Sequence, residues 1–87
     1  MQEIILKCTP LRFYAQNDEN AFFEWLQKIA CIYEFKGIGR ELHLSIASPQ
    51  ISFNELQDLL GIFRRYKFKN IQQLEVFKNE HNRGLFE

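Results

Sequence analysis

The stretch Phe22–Leu44, FFEWLQKIACIYEFKGIGRELHL, decides the fold of this chain. Its first part repeats apolar residues at the intervals of one buried helix face. Its second part alternates apolar and polar residues, which is typical of strands. Gly37-Ile38-Gly39 predicts a turn between two such strands, because glycine takes positive φ without penalty. We therefore predict a helix over residues 18–30 and a hairpin of strands 32–36 and 41–47.

The helix and the hairpin should each bury one apolar face, whereas the second face of the hairpin is a mixed polar set that we expect to stay open. The buried helix stripe consists of Phe22, Phe23, Trp25, Leu26 and Ile29. The apolar hairpin face consists of Tyr33, Phe35, Leu42, Leu44 and Ile46. The polar hairpin face consists of Glu34, Lys36, Glu41, His43 and Ser45.

Upstream of this stretch, residues 3–8 alternate in the same way and predict the first strand. Pro10 interrupts the ladder because proline has no backbone N–H to donate, and Leu11–Tyr14 can resume it as an edge or extension. Asn17-Asp18-Glu19 supplies a side-chain cap and negative charge for the start of the first helix.

Downstream, the chain turns helical again. Ser52-Phe53-Asn54-Glu55 has the form of a capping box and predicts a second helix that ends near Tyr66. Asn70 is expected to cap a shorter third helix, and residues 79–87 are expected to form a polar tail that can fray. The inward residues are Leu56, Leu59, Leu60 and Phe63 on the second helix, and Ile71, Leu74 and Phe77 on the third.

These elements predict a single domain over residues 1–87, because the chain is long enough for one modest core only. The predicted class is α+β, with two layers and the order β-α-β-β-α-α. About three strands form a small, mostly antiparallel sheet, and the helices cover one of its faces.

The overall charge gives no general attraction for phosphate or anionic lipid, since the formal net charge is zero and the pI is about 6.7. The N-terminal residues contain no small-residue cleavage site, so a secretory signal is not expected. No apolar window approaches the roughly 20 residues of a membrane-spanning helix. We expect a soluble cytoplasmic protein.

Catalytic and metal-binding patterns are weak. Cys8 and Cys31 lack the paired spacing of zinc or redox sites and are expected to be reduced core thiols. His43 lies beside Ser45 on one strand face, so a Ser/His pair is conceivable, but no orienting acid or oxyanion turn accompanies it. Gly37-Ile38-Gly39 lies between two strands and therefore does not match a dinucleotide fingerprint. We predict a binding module with no catalytic residues, metal or cofactor.

Three segments carry a resemblance to a known family: Phe22-Phe23-Glu24-Trp25-Leu26, Gly37–Leu44 (GIGRELHL) and Leu59–Tyr66 (LLGIFRRY). Together they resemble small bacterial immunity proteins of contact-dependent growth inhibition systems, over roughly residues 3–80. The resemblance implies a cytoplasmic protein that binds and neutralises a cognate toxin domain, commonly a nuclease. It implies no particular binding residue, and inhibition by occlusion of the toxin active site or by binding elsewhere stays open.

Affinity for a protein partner comes from a few anchors inside a polar rim. On the open sheet face the candidate partner-binding residues are Glu34, Glu41 and His43, and Arg64 with Arg65 forms a second candidate patch. The alternative function is a small nucleic-acid-binding or regulatory module that uses the basic segment Arg64–Lys69, although nucleic acid is the less expected partner. A third possibility is a subunit of a larger assembly, in which an exposed sheet edge pairs with another strand.

Overall fold

A computed structural model describes residues 3–13 and 15–87 and confirms the α+β class with a three-stranded antiparallel sheet. Two 3-10 helices follow the second α-helix. The elements are β1 (Ile4–Cys8), α1 (Gln16–Gln27), β2 (Ile32–Ile38), β3 (Glu41–Ile46), α2 (Phe53–Arg65) and the 3-10 helices Ile71–Phe77 and Arg83–Phe86.

The sheet has the order β1-β3-β2, so the last strand of the hairpin lies in the centre. Leu44 of β3 lies opposite Leu6 of β1 and Phe35 of β2. Because side chains alternate along a strand, this register directs one row of apolar residues to the same side of all three strands. The helices and the core lie on that side.

One hydrophobic core joins the apolar face of the sheet to α1, α2 and the first 3-10 helix. Phe22 and Leu26 of α1 are buried there, as are Leu74 and Phe77 of the 3-10 helix. The apolar stripe of α2 is buried as predicted. It consists of Leu56, Leu59, Leu60 and Phe63, and Ile62 joins it.

The predicted capping box of α2 is confirmed. Ser52 is the N-cap residue, and its hydroxyl accepts a hydrogen bond from the Glu55 amide while the Glu55 carboxylate accepts one from the Ser52 amide. The helix ends at Arg65, with Tyr66 as its C-cap. In the described part of the chain, neither this helix nor any other is long and apolar enough to cross a membrane.

The start of α1 differs from the prediction. The helix begins at Gln16 with Ala15 as N-cap, and no side chain caps it, so the predicted cap at Asn17-Asp18-Glu19 is wrong. The Ala15 carbonyl accepts the amides of Asp18 and Glu19 instead, and both acids lie in the first turn, where they complement the helix dipole. Tyr14, part of the possible strand extension, lies outside the described residues, and residues 11–13 form no strand.

The first strand of the hairpin is longer than predicted and contains an irregularity, whereas the second ends one residue earlier, at Ile46. β2 continues to Ile38, and the turn consists of Gly39 and Arg40, with Gly39 at φ 62°. A register shift between Ile32 and Glu34 interrupts strict alternation at Tyr33, whose side chain is 55% exposed. The prediction that Tyr33 faces the core with Phe35 is therefore wrong, because an extra residue in one strand changes the face of its neighbours.

In the C-terminal third of the chain, the described helices after α2 are 3-10 helices and not α-helices. The third helix is a 3-10 helix, and Asn70 adopts a left-handed conformation with φ 59° and no side-chain cap. The expected polar tail contains a second 3-10 helix, and its residues Leu85 and Phe86 pack against the core. Asn82 is buried and donates a hydrogen bond of 2.8 Å to the Phe77 carbonyl, which ties this segment to the first 3-10 helix.

Candidate functional site

The face of the sheet opposite the core forms the first candidate surface. It follows from the strand register, because residues that alternate with the buried ones point to the other side of the sheet. We call it the open face. It consists of Ile5 and Lys7 on β1, Glu34, Lys36 and Ile38 on β2, and Glu41, His43 and Ser45 on β3.

His43 lies near the centre of the open face. The register places Lys7 on one side of it and Lys36 on the other. Its Nε2 atom lies 3.1 Å from Oε1 of Glu41, the next residue on the same strand face. The imidazole is thus held between two cations by a carboxylate, and its side chain is 21% exposed.

The charges of the open face balance, since two lysines and two glutamates alternate across it. Two large apolar side chains interrupt the polar set: Ile5 is 42% exposed and Ile38 is 48% exposed. Exposed isoleucines beside alternating charges provide apolar contact area with directional polar groups around it, which is the composition of many protein interfaces.

The structure brings three of the five predicted partner-binding residues together and separates the other two from them. Glu34, Glu41 and His43 all lie on the open face. Arg64 and Arg65 lie in the last turn of α2, on the helical layer. Their role in binding stays a prediction.

The two arginines also differ from each other in their contacts. The guanidinium of Arg64 donates a hydrogen bond of 3.0 Å to the Leu85 carbonyl, so this side chain holds the C-terminal segment. The guanidinium of Arg65 lies 5.7 Å from the centre of the Tyr66 ring in a cation–π contact. Of the two arginines, Arg65 lines a concave surface.

That concave surface is a cavity of about 370 Å³, which we call the cationic cavity. Lys67 also lines it; this residue follows the end of α2 and has a left-handed backbone conformation with φ 55°. Three cations surround one acid, so the local charge is positive although the whole chain is neutral. The lining residues are Pro10, Arg12, Asp18, Arg65, Tyr66 and Lys67.

Sequence reasoning missed several members of both surfaces. Ile5 and Lys7 join the open face only because β1 pairs with β3, a pairing that alternation alone does not specify. Arg12 and Asp18 join the cationic cavity although they lie far from Arg65 in the sequence. A prediction of strand register could have found the first pair, but no local signal indicates the second.

The cysteines do not form a reactive centre. Burial raises the pKa of Cys8 to about 12. Burial, followed by the nearby Glu55 carboxylate, raises the pKa of Cys31 to about 12 as well. Both thiols therefore stay protonated at neutral pH, whereas a nucleophilic cysteine acts as the thiolate.

The remaining polar groups form no assembled catalytic or metal-binding set within the described residues. No hydrogen bond joins His43 to Ser45 there, and the imidazole contacts Glu41 instead. Over residues 3–13 and 15–87 no group of three or more His, Cys, Asp or Glu side chains is placed to hold a metal ion.

Comparison of the chain with protein-family models, with curated proteins and with solved structures gave no match.

Proposed function

We propose that this chain is a cytoplasmic immunity protein that binds and neutralises a bacterial toxin domain, in particular a nuclease, through the open face of its sheet. The proposal joins the resemblance of the sequence to immunity proteins with the composition of the open face. The observation that carries it is the exposure of Ile5 and Ile38 among balanced charges on the face of the sheet opposite the core.

The balance of charges favours a protein as the partner of the open face. Surfaces that bind nucleic acid are strongly positive, because they neutralise phosphates. The open face instead sets Glu34 and Glu41 against Lys7 and Lys36. Such an arrangement can match alternating charges on another protein and discriminate against partners with a different pattern.

The two isoleucines are the expected anchors. Each has about half of its surface free, so docking of a partner can bury it further, and apolar burial contributes about 25 cal/mol per Å². Glu41 restrains His43 through their hydrogen bond, which limits the side-chain entropy that is lost on binding. We expect the residues around these anchors to contribute shape and specificity more than free energy.

We expect a toxin domain to be encoded next to this gene, and the test uses that domain as the partner. We expect the two purified proteins to co-elute, and we expect the chain to protect cells that express the toxin. Ile5→Asp should weaken binding by about tenfold or more, because it places a charge at an apolar anchor. Isothermal titration calorimetry measures this change directly.

Val76→Asp is the matched control, since Val76 is 48% exposed but lies on the first 3-10 helix, outside the sheet. It should leave toxin binding unchanged. The absence of co-elution and of protection would remove the proposal. Equal weakening by the two variants would remove the open face as the binding surface.

A second function, nucleic-acid binding, is favoured by the cationic cavity. Arg12, Arg65 and Lys67 surround it, and Tyr66 contributes to its lining. This arrangement gives the basic segment a concave surface with local positive charge, which the neutral whole-molecule charge does not indicate.

Titration of labelled single-stranded RNA and DNA at two salt concentrations tests this second function. Binding through phosphates must weaken as salt rises. Arg65→Gln should then reduce affinity and the salt dependence, whereas Arg83→Gln, at an exposed position of the last 3-10 helix, should not. The absence of salt-dependent binding would exclude the nucleic-acid function.

A further inference from the structure

The outer edge of β2 is exposed, whereas the outer edge of β1 is partly closed. Gln73 accepts a hydrogen bond from the Lys7 amide and donates one to the Lys7 carbonyl, so a side-chain amide occupies the position of a further strand beside β1. Within residues 3–13 and 15–87, no strand pairs with the other side of β2. A free strand edge is a template for pairing with another chain.

The sequence of β2 is complementary to itself in the antiparallel direction. Its seven residues, Ile32-Tyr-Glu-Phe-Lys-Gly-Ile38, read outward from Phe35 as an acid on one side and a base on the other. The strand begins and ends with an isoleucine. In an antiparallel pair centred on Phe35, Glu34 of each copy lies opposite Lys36 of the other.

We propose that this chain forms a symmetric dimer in which β2 pairs antiparallel with β2 of a second copy, centred on Phe35. Two Glu34–Lys36 pairs then flank the two-fold axis. Opposite charges directly across a strand pair stabilise it, and like charges destabilise it. The same patch serves both partners, as a two-fold interface requires.

The charges also select the register. Residues directly opposite one another in an antiparallel pair point to the same face of the sheet. An alternative register therefore slides one strand by two residues, which moves the centre of the pair by one residue. A pair centred on Glu34 would bring two Glu34 carboxylates together on the axis. A pair centred on Lys36 would do the same with two ammonium groups. Only the pair centred on Phe35 places unlike charges opposite one another.

The charged centre of this register lies in a regular stretch of the strand. The register shift in β2 lies at Tyr33, so the central residues Glu34, Phe35 and Lys36 belong to its regular part.

The dimer would join two three-stranded sheets into one continuous sheet. The two open faces would lie on the same side of it and form a single, larger surface. This inference concerns the edge of the sheet and does not depend on toxin binding, which we place on its face.

Analytical ultracentrifugation over micromolar to near-millimolar concentrations tests the proposal. We expect a reversible dimer for the native sequence. Lys36→Glu should weaken it by about tenfold or more, because both charge pairs become acid–acid pairs. Glu34→Lys should weaken it as strongly through base–base pairs.

The decisive measurement restores charge complementarity between the two copies of β2. The double variant Glu34→Lys/Lys36→Glu should dimerise again, and a mixture of the two single variants should form a heterodimer. Lys7→Glu is the matched control, since Lys7 flanks His43 as Lys36 does but lies on β1. It should leave the dimer intact, and circular dichroism confirms that each variant is folded.

Three results would overturn the proposal. The native chain could remain monomeric over the whole concentration range. The β2 edge would then pair with a strand of another protein and not with a second copy. The dimer could be insensitive to both charge reversals, which would place its interface elsewhere. The double variant and the mixture could both fail to associate, which would remove the register centred on Phe35.

Discussion

At the N-terminus of α2, Ser52 and Glu55 exchange two hydrogen bonds of 3.1 and 2.9 Å. Each satisfies an amide that has no partner within the helix. The interaction spans three residues, so it could be predicted from sequence. The predicted cap at Asn70 failed for a different reason, because that residue adopts a left-handed conformation from which its side chain makes no cap.

Ser52→Ala tests the free energy of this cap. We expect the free energy of unfolding to fall by about 1 kcal/mol, because the Glu55 amide loses its acceptor. Urea denaturation measures the change. Asn54→Ala, in the same exposed first turn, is the control and should change stability by less than about 0.5 kcal/mol. Equal effects of the two substitutions would contradict a specific role for the Ser52 hydroxyl.

The pH dependence of stability should contain a contribution from Glu55. The hydrogen bond from the Ser52 amide lowers the pKa of this carboxyl below its ordinary value of 4.5. A depressed native pKa adds stability above pH 4.5, and this contribution is lost as the pH falls through the native pKa. Glu55→Gln keeps an acceptor for the Ser52 amide but removes the titration.

Urea denaturation at a series of acidic pH values compares the two proteins. We expect the native chain to lose more stability on acidification than Glu55→Gln does. Glu80→Gln is the control, because this exposed carboxylate lies in the turn between the two 3-10 helices and outside the capping box of α2. Parallel curves of stability against pH for the native chain and Glu55→Gln would show that the cap does not lower the pKa of the Glu55 carboxyl.

At the scale of elements, Gln73 connects the first 3-10 helix to β1. Its amide makes hydrogen bonds of 2.8 and 2.9 Å with the backbone of Lys7, a residue 66 positions away in the sequence. The bonds close part of a strand edge that would otherwise present free amides and carbonyls. A short 3-10 helix has poor internal hydrogen bonding, so such contacts with neighbouring elements help to hold it.

Gln73→Ala should lower the free energy of unfolding by about 1–2 kcal/mol, because two hydrogen bonds are lost together. Hydrogen exchange gives a local measurement as well, since the Lys7 amide should lose protection. Gln72→Ala is the matched control at the neighbouring exposed position. An unchanged Lys7 exchange rate in Gln73→Ala would show that the contact does not persist in solution.

At the scale of the whole molecule, we expect stability to depend on a cluster of aromatic rings. The cluster lies between the two α-helices and the segment after α2. Phe22 lies at its centre, with ring centroids 4.9 Å from Tyr66, 5.2 Å from Phe13 and 5.7 Å from Phe68. The contacts with Tyr66 and Phe68 are edge-to-face, and contacts of this kind add to the free energy of burial. The cluster joins parts of the chain that lie outside the strands of the sheet.

Phe22→Ala should therefore destabilise the whole domain, by about 3–5 kcal/mol. Thermal unfolding followed by circular dichroism measures the loss, and a strongly unfolded variant agrees with the expectation. Phe53→Ala removes a ring that is 50% exposed and should cost much less. Similar destabilisation by the two variants would show that the ring cluster is not the centre of the fold.

Local patterns in the sequence were sufficient to predict where helices and strands occur, which apolar face of α1 and α2 is buried, and the capping box of α2. Periodicity and capping depend on residues a few positions apart, and the same short distances determine helix and strand geometry. The candidate residues Glu34, Glu41 and His43 could be assigned to one face for this reason.

The tertiary structure alone decided which residues from different elements meet. The pairing of β1 with β3 added Ile5 and Lys7 to the open face. The packing of α1 and of the segment before it against the end of α2 brought Arg12 and Asp18 to Arg65. These contacts arise when the whole chain buries its apolar surface at once, a requirement that has no signature in any short segment.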